Sequence, residues 1–160
     1  MTPGVDVRRL APDDADACDR IVLSLPYHFG DEGGRRDCAA AVRSHDGLVS
    51  ELGGEVVGFL TWQRRFDEAA EITWMAVRRD HRGEGIGHAL VDALVASLRE
   101  EGVRLLVVLT VSPNDPDEPN PQDGGYEATR AFYRSMGFIT ARDLPREWPG
   151  DLAALFARPL

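Results

Sequence analysis

The chain has 160 residues, of which 43% are hydrophobic and 28% charged, and its formal net charge is −9. These values are typical of one globular domain, and they argue against nucleic acid or an anionic membrane surface as a partner. No apolar run reaches the ~20 residues that span a bilayer. Asp6, Arg8 and Arg9 interrupt the N-terminal segment where a signal peptide would need an apolar core. We therefore expect a single cytoplasmic domain over residues 1–160.

Cysteine and histidine positions predict no metal site. Cys18 and Cys38 are the only cysteines, and their spacing is not that of metal ligands. The four histidines form no HxxxH or HxH pair near a carboxylate. We expect two reduced thiols and no metal cofactor.

The first part of the chain predicts a strand, two helices and a hairpin. The Leu25-Pro26 step should end a helix, because the residue before proline avoids helical geometry. Gly53-Gly54 indicates a two-residue hairpin turn. The predicted elements are a strand at Val5–Leu10, helices at Asp14–Leu25 and Arg35–Ser44, a glycine-rich turn at Tyr27–Gly34, and strands at Leu48–Leu52 and Val56–Arg64.

The centre of the chain has the pattern of a strand, a turn, a helix and a strand. Ala70–Val77 is strand-like, Gly83–Gly87 is a turn, and His88–Glu101 is amphipathic with a helical period. Val103–Val111 consists almost entirely of apolar β-formers, which is typical of a strand buried on both faces. Two strands joined through a helix should be parallel, with a right-handed crossover.

The last part of the chain predicts one more helix and short strands. A polar loop rich in Pro and Asp covers Ser112–Gly125, and Glu127–Met136 is a helix ended by Gly137. Strand-like segments follow near Phe138 and at Leu152–Arg158. Together the elements predict an α/β domain.

The glycine-rich turn has the chemistry of an anion site. Backbone N–H groups at a helix start, unobstructed by Cβ atoms, form a concave site that suits a diphosphate. A basic cluster surrounds it in an otherwise acidic chain, formed by Arg78, Arg79, His81 and Arg82. A tight strand-to-helix connection without a ligand is the alternative interpretation.

Two other phosphate motifs fail on spacing. A dinucleotide fingerprint needs Gly-x-Gly-x-x-Gly, but its last position falls on His88 or Leu90. No Gly-Lys-Ser/Thr follows, so the turn is not that of a nucleotide-hydrolysing P-loop. A nucleotide-binding Rossmann domain is thereby weakened as an alternative.

The turn instead resembles the coenzyme A site of the GNAT superfamily of N-acetyltransferases. That family has Arg/Gln-x-x-Gly-x-Gly between a strand and an amphipathic helix, and Arg82, Gly85 and Gly87 fill the defined positions. The segment from Arg130 to Phe138, with its Phe-Tyr pair and closing Gly-Phe, resembles the final helix of the family. The residues from Val7 to Asp14 resemble its opening strand.

The resemblance implies a fold and a cofactor. It implies a GNAT-like mixed sheet, mostly antiparallel, with a splayed parallel strand pair and flanking helices. It also implies acetyl-CoA as co-substrate, with the pantetheine arm held by the strand end and the diphosphate by the turn. The implied cofactor-binding residues are Met75, Ala76, Val77, Arg82, Gly83, Glu84, Gly85, Ile86, Gly87, His88 and Phe132.

Acetyl transfer to an amine needs a proton acceptor and a proton donor. An alkylammonium group with a pKa near 10.4 must lose a proton before it can attack. Our candidate base is Glu71, with a solvated strand-start carboxylate as the alternative, and the resemblance implies Tyr133 as the acid that protonates the leaving sulfur. Strand alternation predicts that Glu71, Thr73, Met75 and Val77 share one face.

The expected partner is a small-molecule or peptide amine, and a homodimer stays open. By resemblance, Tyr27, His28 and Phe29 form one wall of the acceptor site. The loop at residues 112–125 carries Asp115, Asp117, Glu118 and Asp123 and no cation. If the loop is functional, its negative field predicts a positively charged acceptor, and an acidic, solvated connector without a role in binding is the alternative. The alternative function is a non-catalytic module that binds acyl-CoA and regulates a partner.

Overall fold

A seven-stranded sheet forms the centre of the computed structural model, which describes residues 4–117 and 125–160. The strand order is β1-β2-β3-β4-β5-β7-β6. The strands are β1 Val5–Arg9, β2 Asp46–Leu52, β3 Glu55–Phe66, β4 Ala69–Val77, β5 Leu105–Val111, β6 Ile139–Leu144 and β7 Ala153–Pro159. Gly53 and Gly54, both at positive φ, join β2 to β3 as a tight hairpin requires.

Within the described residues, four α-helices lie in the predicted order, namely α1 Ala15–Leu23, α2 Glu32–Ser44, α3 Ile86–Glu100 and α4 Gly125–Ser135. Helix α2 begins three residues before its predicted start, because the Asp31 carboxylate accepts hydrogen bonds from the backbone N–H groups of Gly33 and Gly34. In α3, one apolar face is fully buried, as its amphipathic pattern requires.

The predicted parallel pair is present, and it is short. Strands β4 and β5 pair from Ala69–Leu105 to Ile72–Val108, whereas all other neighbouring strands pair antiparallel. Beyond Ile72 the pairing stops, although β4 continues to Val77 and β5 to Val111. A mixed, mostly antiparallel sheet with a splayed parallel pair is therefore confirmed.

Strand β5 corrects one prediction, since it is not buried on both faces. Leu106 and Val108 are buried in the core beneath α3 and α4. The alternate residues are more exposed: Leu105 is 38% exposed, and Leu109 is half-buried. The physical reason is that helices α1 and α2 pack on β3 and β4 and leave the second face of β5 uncovered.

A bulge in β4 corrects the predicted shared face. Trp74 pairs with Thr61 and Ile72 pairs with Trp62, so Thr73 is an extra residue without a partner of its own in the β3–β4 register. An extra residue reverses the alternation of side chains along a strand. Met75 therefore packs into the same core cluster as Ile72, and the predicted common face of Glu71, Thr73, Met75 and Val77 is wrong.

Two features concern membranes and metals. Within residues 4–117 and 125–160, no helix combines the length and the apolar character needed to cross a membrane. The same residues contain no cluster of three or more His, Cys, Asp or Glu side chains placed to hold a metal ion.

Candidate active site

A groove of about 1690 Å³ opens where β4 and β5 separate. One end lies at the glycine-rich turn before α3, and its middle is formed by β4, β5 and α4. The other end lies against α2, the β3–β4 hairpin and residues 147–151. The groove thus joins the predicted diphosphate site to the predicted catalytic residues.

The glycine-rich turn places open backbone groups at the start of α3. Gly83 and Gly85 both have φ near 80°, a conformation that favours glycine. Gly85 is the N-cap of α3, and no side chain caps the helix. Because α3 begins at Ile86 rather than at the predicted His88, Ile86 and Gly87 belong to its first turn. These N–H groups and the helix dipole fit a phosphate.

Some residues of the predicted basic cluster line the groove, whereas Arg78 lies outside it. Arg79 and Arg82 are exposed and line the groove. Arg78 lies outside the groove lining and forms a two-bond ion pair with Asp80, at 2.7 and 2.8 Å. Hydrogen bonding to Asp80 raises the pKa of Arg78, which keeps it charged. Arg78 therefore stabilises the turn rather than facing a ligand.

The predicted cofactor contact of Glu84 stays a prediction, and its side chain is engaged within the turn. Its carboxylate lies 2.8 Å from Nδ1 of His81, and the residue does not line the groove. The other predicted cofactor-binding residues all line the groove, namely Met75, Ala76, Val77, Arg82, Gly83, Gly85, Ile86, Gly87, His88 and Phe132.

Gly87 allows three elements to meet below the turn. A Cβ atom built at Gly87 would lie 3.1 Å from Cε of Met75 and from the ring of Phe132. Phe132 also meets the ring of His88 edge-on, with centroids 5.1 Å apart. A side chain at this position would press on Met75 and Phe132, so the glycine favours close packing of α3 against β4 and α4, in addition to any contact with a ligand.

Tyr133 presents a buried hydroxyl at the middle of the groove. The residue is 5% exposed, and its ring packs edge-on against Phe132 and Phe138. Its hydroxyl donates a weak hydrogen bond to the sulfur of Met75, at 3.9 Å. Burial raises the pKa of Tyr133 well above its ordinary value, so the phenol stays protonated and can act as a proton donor.

Arg130 fixes the position of α4 relative to β5. This arginine is 6% exposed, and its guanidinium donates a hydrogen bond to the carbonyl oxygen of Val111, at 2.9 Å. Val111 is the last residue of β5. The contact holds Tyr133, one helical turn beyond Arg130, against the open ends of the separated strands.

Glu71 lies at the opposite end of the groove from the turn. Arg65 donates a hydrogen bond through Nε to Oε1 of Glu71, at 2.9 Å, and a second through a terminal nitrogen to Oε1 of Gln63, at 2.7 Å. All three residues line the groove. Arg65 therefore fixes the orientation of the carboxylate without enclosing it.

A second polar group at this end was not predicted from the sequence. His45, the residue after α2, has Nδ1 2.9 Å from Oγ1 of Thr73, which lies 2.7 Å from Oγ1 of Thr61. His45 and Thr73 line the groove. Burial is the main cause that lowers the pKa of His45, with the charge of Arg65 adding to it. No local motif marks His45, because its hydrogen-bond partner Thr73 lies 28 residues away on β4.

The predicted aromatic wall is partly formed. Phe29 is buried against Trp74, with centroids 6.0 Å apart, and His28 lies 4.9 Å from the ring of Tyr126 on α4. Both Phe29 and His28 line the groove. Tyr27 does not, and it packs behind them against His28 and Tyr126.

The comparisons with known proteins agree with this geometry. The model of the acetyltransferase (GNAT) domain family matches residues 43–140. The chain belongs to the GNAT acetyltransferase family. An uncharacterized N-acetyltransferase of Chlorobaculum tepidum is 37% identical over 67 residues, which are 42% of this chain and 43% of that protein. The alignment thus spans less than half the length of this relative.

Solved structures share the GNAT fold over nearly the whole chain. A GNAT-family protein of Desulfovibrio desulfuricans superposes with a TM-score of 0.79 and 21% identity, covering 97% of this chain and 98% of that one. A GNAT acetyltransferase of Elizabethkingia anophelis, solved with acetyl-CoA bound, gives a TM-score of 0.70 and 14% identity, with 99% of both chains covered. Because both sequences are less than 25% identical to this chain, the superpositions show a shared fold and nothing further.

The family supports a class of chemistry for this GNAT protein. GNAT acetyltransferases use acetyl-CoA and act on amine acceptors such as small molecules or proteins. An acetyltransferase is therefore supported, and the alternative of a non-catalytic acyl-CoA-binding module is not favoured.

The groove of this GNAT protein fits acetyl-CoA. The edge of β4 from Thr73 to Val77 has no β5 partner, so its backbone groups can pair with an extended chain. The turn at one end of this edge offers the N–H groups of α3 to a diphosphate. Both features lie in the same groove, as one ligand with an extended arm and a diphosphate requires.

Proposed function

We propose that this GNAT protein transfers the acetyl group of acetyl-CoA to an amine by direct attack of the nitrogen on the thioester. The observation that carries the proposal is the placement of Tyr133 and Glu71 on one groove with the open edge of β4 and the start of α3. This arrangement brings a proton donor, a proton acceptor and a phosphate-binding turn to one ligand path.

The proposed cofactor-binding residues bind different parts of acetyl-CoA along the groove. The N–H groups of Gly85, Ile86 and Gly87 and the side chain of Arg82 hold the diphosphate. The backbone of Met75 to Val77 holds the pantetheine arm, and one N–H there polarises the thioester carbonyl. Acetyl-CoA supplies an acetyl group that is activated as a thioester.

Glu71 and Tyr133 then each transfer one proton during the reaction. Glu71 receives a proton from the ammonium form of the acceptor, directly or through water, so that the nitrogen lone pair can attack. A carbon–nitrogen bond forms, the nitrogen loses its second proton to solvent, and the carbon–sulfur bond breaks. Tyr133, protonated because it is buried, donates its proton to the leaving sulfur.

We further propose that the acceptor is cationic. The acceptor end of the groove is lined by acidic residues from several elements, namely Asp31, Asp37, Glu71, Glu147 and Asp151. Arg65 is the cation in the β3–β4 part of this end, and the whole chain has a net charge of −9. A negative field concentrates cationic substrates and lowers their apparent KM at low salt.

The loop that first pointed to a cationic acceptor contributes less in its described part. Asp115 accepts hydrogen bonds from the backbone of Asp117 and Leu152, and neither Asp115 nor Asp117 lines the groove. Glu118 and Asp123 lie outside the described residues. The proposal therefore rests on the groove acids rather than on this loop.

An acceptor screen tests both the acetyltransferase activity and the preference for a cationic acceptor. Purified protein is mixed with acetyl-CoA and a panel of cationic, neutral and anionic amines, and free thiol is measured at low and high salt. We expect thiol release with cationic amines and a KM that rises with salt. Asp37→Asn with Glu147→Gln should raise this KM, whereas Asp92→Asn, on the exposed side of α3, should not.

Two results would contradict the proposal in different ways. Tight acetyl-CoA binding without amine-dependent thiol release would indicate a binding module. Efficient transfer to anionic amines, with a KM that does not change with salt concentration, would contradict the proposal of a cationic acceptor. It would be consistent with the proposed acetyltransferase activity.

A further inference from the structure

His45, Thr73 and Thr61 form a chain of hydrogen bonds that runs from the groove into the sheet. The Nδ1 atom of His45 lies 2.9 Å from Oγ1 of Thr73, and Oγ1 of Thr73 lies 2.7 Å from Oγ1 of Thr61. Thr61 is fully buried, at 0% exposed. Thr73 is held beside both residues because it is the bulged residue of β4.

The hydrogen bonds of His45, Thr73 and Thr61 have a preferred donor-to-acceptor direction. A buried hydroxyl needs an acceptor for its hydrogen, and within the described residues Thr73 is the hydrogen-bond partner of the Thr61 hydroxyl. Thr61 therefore donates to Thr73, and among the described residues Nδ1 of His45 is the acceptor that remains for the hydrogen of Thr73. A neutral imidazole that accepts at Nδ1 carries its hydrogen on Nε2.

The opposite direction is less favourable. If Nδ1 carried the hydrogen, Oγ1 of Thr73 could accept it together with the hydrogen of Thr61, because a hydroxyl oxygen has two lone pairs, but the hydrogen of Thr73 would then have no acceptor among the described residues. Thr73 is half-buried and lines the groove, so its hydrogen would then depend on solvent there. Protonation of His45 has the same consequence for Thr73, because the imidazolium carries a hydrogen on both nitrogens.

We propose that His45 is a specificity-determining residue whose Nε2–H donates a hydrogen bond to an oxygen atom of the acceptor near its reacting amine. The inference deepens the acetyltransferase proposal and rests on it. It names the substrate class as amines with a nearby carbonyl or hydroxyl oxygen, such as amino amides or amino alcohols, in preference to plain alkylamines.

The surroundings of His45 favour a neutral donor at this place. Burial and the charge of Arg65 lower the pKa of His45, and the neighbouring Asp46 only partly opposes them. Glu71 and Asp37 line the same groove and suit the ammonium group of the acceptor. Carboxylates cannot donate a hydrogen bond, so the neutral N–H of His45 supplies the donor for an oxygen atom of the acceptor.

The tautomer can be tested without any measurement of activity. Nitrogen-15 correlation spectra of the whole protein identify which ring nitrogen of His45 carries the hydrogen, with His45→Gln used for assignment. We expect the Nε2–H tautomer at pH 7.5. A spectrum that shows the Nδ1–H tautomer, or an imidazolium, would overturn the inference whatever the protein acetylates.

The specificity is tested with three probe amines, namely propylamine, glycinamide and 2-aminoethanol. The ratio of kcat/KM for each oxygen-bearing amine to that for propylamine is compared between the wild type and His45→Ala. Intrinsic differences in amine reactivity cancel in this comparison. We expect His45→Ala to lower at least one ratio about two- to tenfold, the value of one neutral hydrogen bond.

Two conservative variants separate recognition from structural support. In His45→Gln the amide nitrogen lies near the position of Nε2, whereas in His45→Asn it lies near Nδ1 and faces Thr73. We expect Gln to preserve the ratio and Asn to lose it. Equal ratios in all four proteins would overturn the inference while leaving the transferase proposal intact, and the absence of transfer to any amine of the wider screen would instead contradict the proposed function.

Discussion

The hydroxyl oxygen of Tyr133 lies 3.9 Å from the sulfur of Met75, at the point where β4 has lost its β5 partner. A thioether is a weak acceptor, so the phenolic proton is held loosely although the ring is buried. A thiolate is a much stronger acceptor than a thioether. The phenol of Tyr133 is therefore a hydrogen-bond donor at the open edge of β4 whose hydrogen-bond partner, within the described residues, is the weak acceptor of Met75.

The first prediction concerns Tyr133→Phe. We expect kcat with a good acceptor to fall about 10²–10⁴-fold, the usual contribution of a general acid. The affinity for acetyl-CoA should change little, because only the leaving sulfur needs the proton, and the melting temperature should stay close to that of the wild type. Steady-state kinetics, calorimetry and thermal unfolding measure the three quantities. Unchanged kcat would remove Tyr133 from the mechanism.

The second prediction concerns Gly85, the N-cap of α3 with φ near 80°. In Gly85→Ala, the Cβ atom strains the backbone by about 1 kcal/mol and obstructs the approach of a diphosphate to the N–H groups. We expect calorimetry to show that most of the affinity for coenzyme A is lost.

A matched control for Gly85→Ala lies in the β2–β3 hairpin. Gly54 has φ 82°, and a Cβ built there meets no heavy atom within 4 Å. Gly54→Ala should therefore cost similar stability while leaving the coenzyme A affinity unchanged. Equal affinity in the Gly85 and Gly54 variants would show that the turn does not hold the diphosphate.

The third prediction concerns Glu71→Gln. Glutamine can still accept the hydrogen bond from Arg65, so the local geometry is kept while the basic carboxylate is lost. We expect kcat/KM to fall about 10²-fold or more and the limb of the pH–rate profile that rises with pH to move. Glu68→Gln, at an exposed carboxylate of the same hairpin that pairs with Arg104, should behave as the wild type. A pH profile that Glu71→Gln leaves unchanged would assign the base elsewhere.

The fourth prediction concerns the pH dependence of stability through Asp14. Its carboxylate accepts two hydrogen bonds from Arg8, at 2.8 Å each, and one from the backbone N–H of Ala11. The bonds from Arg8 are the main cause that lowers the pKa of Asp14 in the folded protein. The stabilisation is therefore complete above the unfolded-state pKa of about 3.9 and is lost as pH falls through the lower folded value.

Asp14→Asn tests this sign directly. Near pH 7 the variant should be less stable than the wild type by about 1 kcal/mol, a modest value because Arg8 is half-exposed. The difference should shrink below pH 4. Denaturant unfolding at several pH values measures it, with Asp13→Asn as an exposed control. A difference that is constant from pH 7 to pH 3 would contradict the assignment.

Much of the fold and the cofactor side of the groove could be predicted because the signals are local. Positive φ at Gly83 and Gly85 needs glycine, and the helical period of α3 is visible in fifteen consecutive residues. Tyr133 is likewise marked by Phe132 and Gly137, its neighbours in the same helix end. Such features depend on residues a few positions apart, so the sequence alone determines them.

The acceptor side depended on contacts between distant segments. The bulge at Thr73 arises from the pairing of β3 with β4, and it moved Met75 and Val77 away from the face of Glu71. His45 entered the groove only through Thr73, 28 residues away. Strand register and the burial of Thr61 decided these positions, because hydrogen bonds between strands join residues that no local pattern relates.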